Sequence, residues 1–447
     1  MAMDQDELNR RRQAREERRR KRQAAQRRLY IRLAVAAAVL LACGVTIFLL
    51  SGSGEAEKPT EPSLDSTGGQ SQTPSISATE ATEEETRRNF LNQQDPTTVI
   101  HLVAAGDLNV TDKSVWAGQT TGNFDYTAAF MDVASIFSGA DLAVLNFEGN
   151  LVGSPYGTES VSAPQQMAEA LSAMGVDMVQ MANSCSVNHG VSGLATTLNN
   201  IRAAGIEPVG AFSTAEEFQK SKGYTIAEVQ GIKIAFVAFT KGVGGLTLPA
   251  GSEECVNLLY TDYSTTYKDI DKDSIRRILR NVEEEKPDIT VAMLHWGSAY
   301  KDSISSGQKS ILSLMQDEGV DVILGTHSHL LHQITYDDVT GEFVAYSLGD
   351  FFGDAERGGT NYSVILDLEI TRDNESGQTR VTSFEYIPIY TLSEAEGGGQ
   401  RRVVRIREAM KAYEENYVDR ITKTAYDNMD YALDRIEARI KGPEEKK

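Results

Sequence analysis

Residues 320–329 read Val-Asp-Val-Ile-Leu-Gly-Thr-His-Ser-His, and residues 289–297 read Ile-Thr-Val-Ala-Met-Leu-His-Trp-Gly. Each is a short apolar run that reads as a strand with polar, reactive residues at its exit. Strands are expected at Val99 to Ala105, Leu142 to Asn146, Met178 to Ala182, Lys233 to Phe239, Ile289 to His295 and Val320 to Gly325. Between several of them lie apolar residues at helical spacing, such as Leu194, Leu198 and Ile201, or Ile275, Ile278, Leu279 and Val282. Strand followed by helix, repeated, predicts an α/β fold.

After Gly325 the pattern turns strand-rich (Phe343 to Leu348, Tyr362 to Ile370, Arg380 to Ile387), with turn signals such as Asp373-Asn-Glu-Ser-Gly377 between. This predicts a second, mixed or antiparallel sheet. The folded domain is expected over residues 96–395. The tail, 396–447, carries Ile406, Met410, Tyr413, Tyr417 and Ile421 at three- and four-residue spacing, the pattern of an amphipathic helix packed on its own domain.

The chain has 447 residues, 40% of them hydrophobic and 24% charged, with Lys+Arg 44 against Asp+Glu 64 and a net charge of −20. It is too long for a disulfide mini-protein and too apolar to be disordered throughout. Residues 1–32 hold 12 basic and 5 acidic residues, so the other 415 carry −27. A body this acidic gains nothing from counterion release on a polyphosphate, so nucleic acid is not an expected partner.

Leu33 to Gly54 contains no charged residue, and Leu33 to Leu50 is apolar except for Gly44 and Thr46. At about 1.5 Å per residue that run just spans a hydrocarbon core of about 30 Å. Residues 33–54 are therefore expected as an uncleaved transmembrane helix rather than a signal peptide, with 1–32 as a basic cytoplasmic arm and the rest outside the cell membrane. Residues 55–95, rich in Ser, Thr, Glu and Pro, read as a disordered linker. Cys43 lies in the apolar run, leaving Cys185 and Cys255, for which a disulfide is permitted but not implied.

Asp107 follows Val-Ala-Ala-Gly; Asn146 and Glu148 follow Ala-Val-Leu; Asn183 follows Val-Gln-Met-Ala. His295 ends its strand, and His327 and His329 follow Val-Ile-Leu-Gly-Thr. Open α/β sheets place their sites at such strand ends. Carboxylates and imidazoles on one rim suit a divalent metal such as Mn, Fe or Zn. The expected metal residues are Asp107, Glu148, His327 and His329, with His295 close by.

The ordered set Ala-Gly-Asp107, Asp141-Leu-Ala-Val-Leu-Asn-Phe-Glu148, Met181-Ala-Asn-Ser-Cys-Ser-Val-Asn-His-Gly190, His295-Trp-Gly, Gly325-Thr-His-Ser-His329 and Tyr346-Ser-Leu-Gly-Asp-Phe351 resembles the CapA family of poly-γ-glutamate capsule biosynthesis proteins. The resemblance covers roughly Val99 to Ile389. It implies a four-layer α/β/β/α metallophosphatase-like sandwich, a single N-terminal membrane anchor and an extracellular domain. It also implies a role in making, exporting or anchoring an anionic polymer, alongside synthase or export subunits.

The chain departs from the family pattern at several positions. Ser184 stands where the resemblance implies a metal-binding amide, and Cys185 where it implies an imidazole acting as general acid. Ala299 replaces a glutamate two residues after His-Trp-Gly, and Asp350 replaces the asparagine of Gly-Asn-Phe. Asn183, Cys185 and His295 are accordingly the catalytic candidates, and His189 is a conceivable substitute imidazole.

Three readings follow: a surface-polymer assembly or export component, a working metallohydrolase cleaving a phosphoester or amide, or a catalytically impaired scaffold of the same fold. A polyanionic polymer would need a metal or a basic groove to overcome the charge of the body, and Arg401, Arg402, Arg405 and Arg407 are the sequence's candidate for one.

Overall fold

The computed structural model describes residues 95–416 and 421–442. The expected basic arm, the apolar run 33–54, almost all of the linker and Tyr417 lie outside the described residues. Among the described residues no helix is long and apolar enough to cross a membrane.

Strand β1 (Thr97–Asn109) is buried along most of its length and so needs partners on both edges. A small hairpin, β2 (Gln119–Thr120) with β3 (Asn123–Phe124), follows it. On one edge, β1 pairs in parallel with β4 (Leu142–Glu148), which continues through β5 (Met178–Gln180) to β6 (Glu207–Val209). The crossovers are helices α1 (Gln165–Met174) and α2 (Gly190–Ala203), whose apolar faces (Met167, Leu171, Leu194, Leu198, Ile201) join the main core.

The second sheet runs β11-β12-β10-β9-β8-β7. It is built from β7 (Thr225–Val229), β8 (Ile232–Thr240), β9 (Ile289–His295), β10 (Val322–Thr326), β11 (Ile334–Tyr336) and β12 (Phe343–Ala345). Its four central strands are parallel and apolar at nearly every position, as strands covered on both faces must be. Ile234, Phe236, Val291, Met293 and Leu324 face the main core, whereas Val237, Phe239, Ala292, Leu294 and Ile323 pack under α3 (Lys272–Glu284) and α4 (Ser306–Asp317). Both helices start on side-chain caps: Asp271 accepts from Ser274 N–H, and Ser305 and Gln308 form a capping box. The architecture is a mixed α/β sandwich.

The strand-rich second half does not form a sheet of its own. Phe343–Ala345 joins the six-stranded sheet. β13 (Asp350–Phe352), β14 (Tyr362–Asp373), β15 (Thr379–Leu392) and β16 (Arg402–Arg405) instead extend the first sheet to the order β16-β15-β14-β1-β4-β5-β6, with β13 also on β1. The free edge of β1 determines this, because its residues Thr97 to Ala104 lie antiparallel to β14.

The tail also differs from a single helix. Val403 and Val404 are both buried in β16, α5 (Ile406–Glu414) follows, and Asn416 ends it in a left-handed conformation (φ 56°). The closing helix of the described residues, α6 (Lys423–Lys441), buries Ala425, Met429, Ala432, Ile436 and Ile440 in the main core.

The arginine cluster proposed as a groove is mostly structural. Arg401 is buried, bonding Glu394 and the Gly353 and Asp354 carbonyls; Arg402 pairs with Asp132 at 2.7 Å, and Arg405 lies 3.5 Å from Glu408. Arg407 shares a cleft with Asp430, Asp434 and Glu437. Cys185 and Cys255 are both free thiols.

Candidate metal centre

The ladder of β1 changes partner at Gly106. Up to Ala104 it pairs with β14, and from Asp107 it pairs with β13. A Cβ on Gly106 would lie 1.8 Å from the Gly349 carbonyl oxygen, so only glycine lets the two backbones meet, and the Asp107 N–H donates to that same oxygen at 2.9 Å. Gly325 has the same role in β10, where a Cβ would lie 2.2 Å from the Tyr346 carbonyl oxygen. These close approaches bring the Asp107 and His-Ser-His strand ends onto one rim.

Parallel register completes the rim. Asp107 aligns with Asn146 and Asn109 with Glu148; Thr240 and Thr326 both align with His295. Beyond Thr326 the chain turns sharply, with His327 (φ 87°) and His329 (φ 59°) both in the left-handed region, where a side-chain-bearing residue is strained. The strain is held by specific bonds: the His327 N–H donates to Asp107 Oδ2 at 3.1 Å, and the Ser328 hydroxyl lies 2.7 Å from the Leu330 carbonyl and 2.8 Å from the Ser347 hydroxyl.

Five of the side chains expected to hold a metal come together. Glu148, His295 and His327 form one group, Asp107, Glu148 and His329 another; in each the ligand-type atoms lie within 4.8 Å of one another, and Glu148 belongs to both. His327 Nδ1 is 3.0 Å from His295 Nε2, which is 3.4 Å from Glu148 Oε1. Two ring nitrogens at that distance either share one proton or turn both lone pairs on a common cation. Glu148 Oε2 is buried without a hydrogen-bond partner, an orphan acceptor aimed where a cation would satisfy it. The donor set, two carboxylates and three imidazoles, fits a divalent transition metal.

Charge in the cluster is unbalanced in the same sense. Burial, and after it the negative charge of Glu148, pushes Asp107 well above the usual carboxylate range. Burial alone would raise Glu148 too, but the imidazoles of His295, His329 and His327 hold it far below that range. His327 is driven well below its ordinary value by burial and by His295, so it is a neutral imidazole, the form that binds metals. His329 goes the other way: burial lowers it, but Asp350 more than reverses this and pushes it up to about 11.

The surrounding residues position this set. Asn146 donates to Asp107 Oδ1 at 2.5 Å; Asn183 donates to Asn146 Oδ1 at 3.1 Å and to the Phe147 carbonyl at 2.8 Å. Asn183 therefore orients the chain of amides and does not project into the cluster. The Ser184 hydroxyl donates to Glu148 Oε1 and lies 3.2 Å from His295 Nε2, so the residue in the amide position does reach the site. Cys185 adjoins it, with its thiol pushed well above the ordinary value by burial and then by Glu148, so the thiol keeps its proton at neutral pH. His189 is exposed and bonded to the Ser160 carbonyl at 2.6 Å, so it does not substitute for the missing imidazole.

Two contributors went unassigned in the sequence. Thr326 Oγ1 sits 3.1 Å from His295 Nδ1 and fixes that ring; its place before His327 was the only signal. Asp350, noted in the sequence only as a departure from Gly-Asn-Phe, sits 2.9 Å from His329 Nδ1.

The family model described as "Bacterial capsule synthesis protein PGA_cap" matches residues 101–355. The chain is similar to the capsule biosynthesis protein CapA of Bacillus anthracis, 26% identical over 215 residues, covering 48% of this chain and 49% of the relative. It is also similar to the PGA biosynthesis protein CapA of Bacillus subtilis, 25% identical over 261 residues, covering 57% and 64%. The chain thus spans between about half and just under two thirds of these relatives. Among solved structures, a calcineurin-like phosphoesterase of Bacillus subtilis matches at TM-score 0.40 and 16% identity over 76% of this chain and all of that one. A phosphatase of Mycoplasma pneumoniae matches at TM-score 0.40 and 14% identity, over 66% and 94%. The family match runs from His101 in β1 to Ala355 just past Asp350, enclosing every residue of the cluster: this chain belongs to the bacterial capsule synthesis protein PGA_cap family.

Proposed function

We propose that this chain is a membrane-anchored, extracellular component of surface-polymer biosynthesis or export, the polymer being poly-γ-glutamate, and that its domain binds a divalent metal. The observation that carries the reading is the convergence of Asp107, Glu148, His295, His327 and His329 inside a segment matched by a capsule-synthesis family. The uncharged run 33–54 behind an arginine-rich arm supports the anchor and its orientation. Synthase or export subunits are the proposed partners.

In the site, Glu148 and Asp107 supply carboxylate oxygens, neutral His327 supplies one nitrogen and His295 another. Asn146 and Thr326 fix the orientations of Asp107 and His295. A divalent metal held there would polarise a bound oxygen and lower the pKa of a water. The Cys185 thiol, held protonated by burial and by Glu148, stands where the family pattern has an imidazole.

The test is genetic and chemical together. A strain lacking this chain is complemented with the wild type or with His327→Ala/His329→Ala, and cell-surface polymer is quantified as glutamate released by acid. Polymer restored by the wild type and not by the variant supports the reading; full polymer in the deletion strain overturns it. Protease treatment of intact cells checks topology, since an extracellular domain is digested and a cytoplasmic one is protected.

A metal-dependent hydrolase is the second reading, favoured by the orphan Glu148 Oε2 beside two imidazoles. Hydrolysis of bis-p-nitrophenyl phosphate with added Mn, abolished by His327→Ala, would support it over a non-catalytic scaffold.

A further inference from the structure

The charge problem posed by the sequence has a local answer at the rim of the cluster. Two cations border it, and neither has a carboxylate within ion-pair distance among the described residues. Lys241 leaves the end of β8, its N–H donating to the His295 carbonyl at 2.8 Å. Its half-buried ammonium donates to the Gly297 carbonyl at 2.7 Å and lies 4.4 Å from the Tyr267 ring centroid. The electrostatic effect of Lys241 reaches His327. Arg357, on the exposed loop after β13, lies with its guanidinium 3.9 Å from the Tyr300 ring centroid. Tyr300 in turn stacks on His329, centroids 4.8 Å apart and planes 23° from parallel.

This stack is built rather than incidental. Tyr300 has φ 59°, and its N–H donates to the Ser328 carbonyl at 2.9 Å, which fixes its loop to the His-Ser-His turn. Ring, imidazole and guanidinium therefore form a layered stack that leads from solvent to His329. A guanidinium held over an aromatic ring can still offer N–H groups for a two-pronged bond to a planar anion. By contrast, the arginines 401, 402 and 405 near β16 are paired with acids.

We infer that Arg357, on the loop after β13 and held by Tyr300, and Lys241, at the end of β8, form an anion-recognition rim of the cluster, and that they bind carboxylates of a polyanionic chain presented to the metal centre. This deepens the function proposed above and rests on it for the identity of the polymer. In a body carrying −27 outside its basic arm, unpaired cations are placed where an anionic ligand would otherwise be repelled.

The experiment measures two quantities on the full-length chain in detergent. Fluorescence anisotropy follows binding of fluorescein-labelled hexa-γ-glutamate, and metal content is measured on the same samples. Arg357→Ala and Lys241→Gln are each expected to weaken binding by about tenfold, the double variant more, with metal content and thermal midpoint equal to wild type. Arg357→Lys, which keeps charge but loses the two-pronged guanidinium, is expected to recover only part of the affinity. Unchanged affinity in the double variant overturns the inference, as does displacement of the label by millimolar inorganic phosphate as readily as by unlabelled hexa-γ-glutamate, which would show a phosphate site. Loss of metal from the wild type with peptide binding intact would instead sink the metal reading and leave the rim standing.

Discussion

His329 Nδ1 lies 2.9 Å from Asp350 Oδ1, and the carboxylate is buried. The same nitrogen lies 3.8 Å from Asp107 Oδ2, so the bond to Asp350 holds the ring at the edge of the cluster. Such outer carboxylates fix ring orientation, and their loss typically costs about 10- to 100-fold in metal affinity. Asp350→Ala is expected to lose affinity within that range and Asp350→Asn less, because an amide oxygen still accepts from Nδ1–H. Titration against a chromophoric chelator checks both.

The same pair sets a pH dependence. Without metal, His329 keeps its proton up to about 11, so binding through its nitrogen must release that proton. Affinity should therefore rise with pH between 6 and 8, and the slope should flatten in Asp350→Ala. A pH-independent affinity in the wild type would contradict the assignment of His329 as a ligand.

Asp321 offers a test of stability away from the centre. Burial first, opposed by a hydrogen bond from Thr290 N–H, raises its carboxyl from 3.8 to about 6. Because the folded chain holds this proton more tightly than the unfolded one, the stabilisation is fully present below about pH 4 and is lost as pH rises through 6. A two-unit gap corresponds to nearly 3 kcal/mol at full strength, and solvent screening reduces the expectation to about 1 kcal/mol. Asp321→Asn is thus expected to exceed wild-type stability by about 1 kcal/mol at pH 8 and to equal it at pH 4, read from urea midpoints.

Trp296, immediately after His295, is fully buried; its Nε1–H donates to the Tyr346 carbonyl at 2.9 Å and its ring stacks on Tyr346. Trp296→Ala should cost about 3–5 kcal/mol by cavity formation, measured by chemical denaturation. Trp296→Phe, which keeps most of the volume, should cost much less.

The closing helix reaches the site through Arg439, which donates to the Leu331 carbonyl at 3.0 Å and pairs with Asp302 at 2.7 Å. Arg439→Ala should lower stability by about 1–3 kcal/mol and loosen the turn after His329, seen as faster amide exchange at Leu331 and His332. Unchanged exchange there would show that α6 acts only as core.

The rim was legible in the sequence because its side chains sit directly at the ends of apolar runs: Ile289–His295 was bounded as observed, and Leu142 to Asn146 and Val320 to Gly325 nearly so. Sheet membership was not, since the partner of Tyr362–Asp373 depends on which edge of β1 stays open, a fact of topology rather than of local pattern. The Arg401 to Arg407 cluster shows the same limit: composition gives the charges, and only packing shows that Asp132, Glu394 and Glu408 have paired with three of them. The roles of Asp350 and Tyr300 were hidden because each acts through His329, across 21 and 29 residues of chain.

The central claim is that distant side chains grip one divalent ion. Elemental analysis of the full-length chain, purified in detergent without chelator, measures it directly for the wild type and for His327→Ala/His329→Ala. Near-stoichiometric Mn, Fe or Zn in the wild type, lost in the variant, is the expected result; equal, near-zero metal in both would contradict the account.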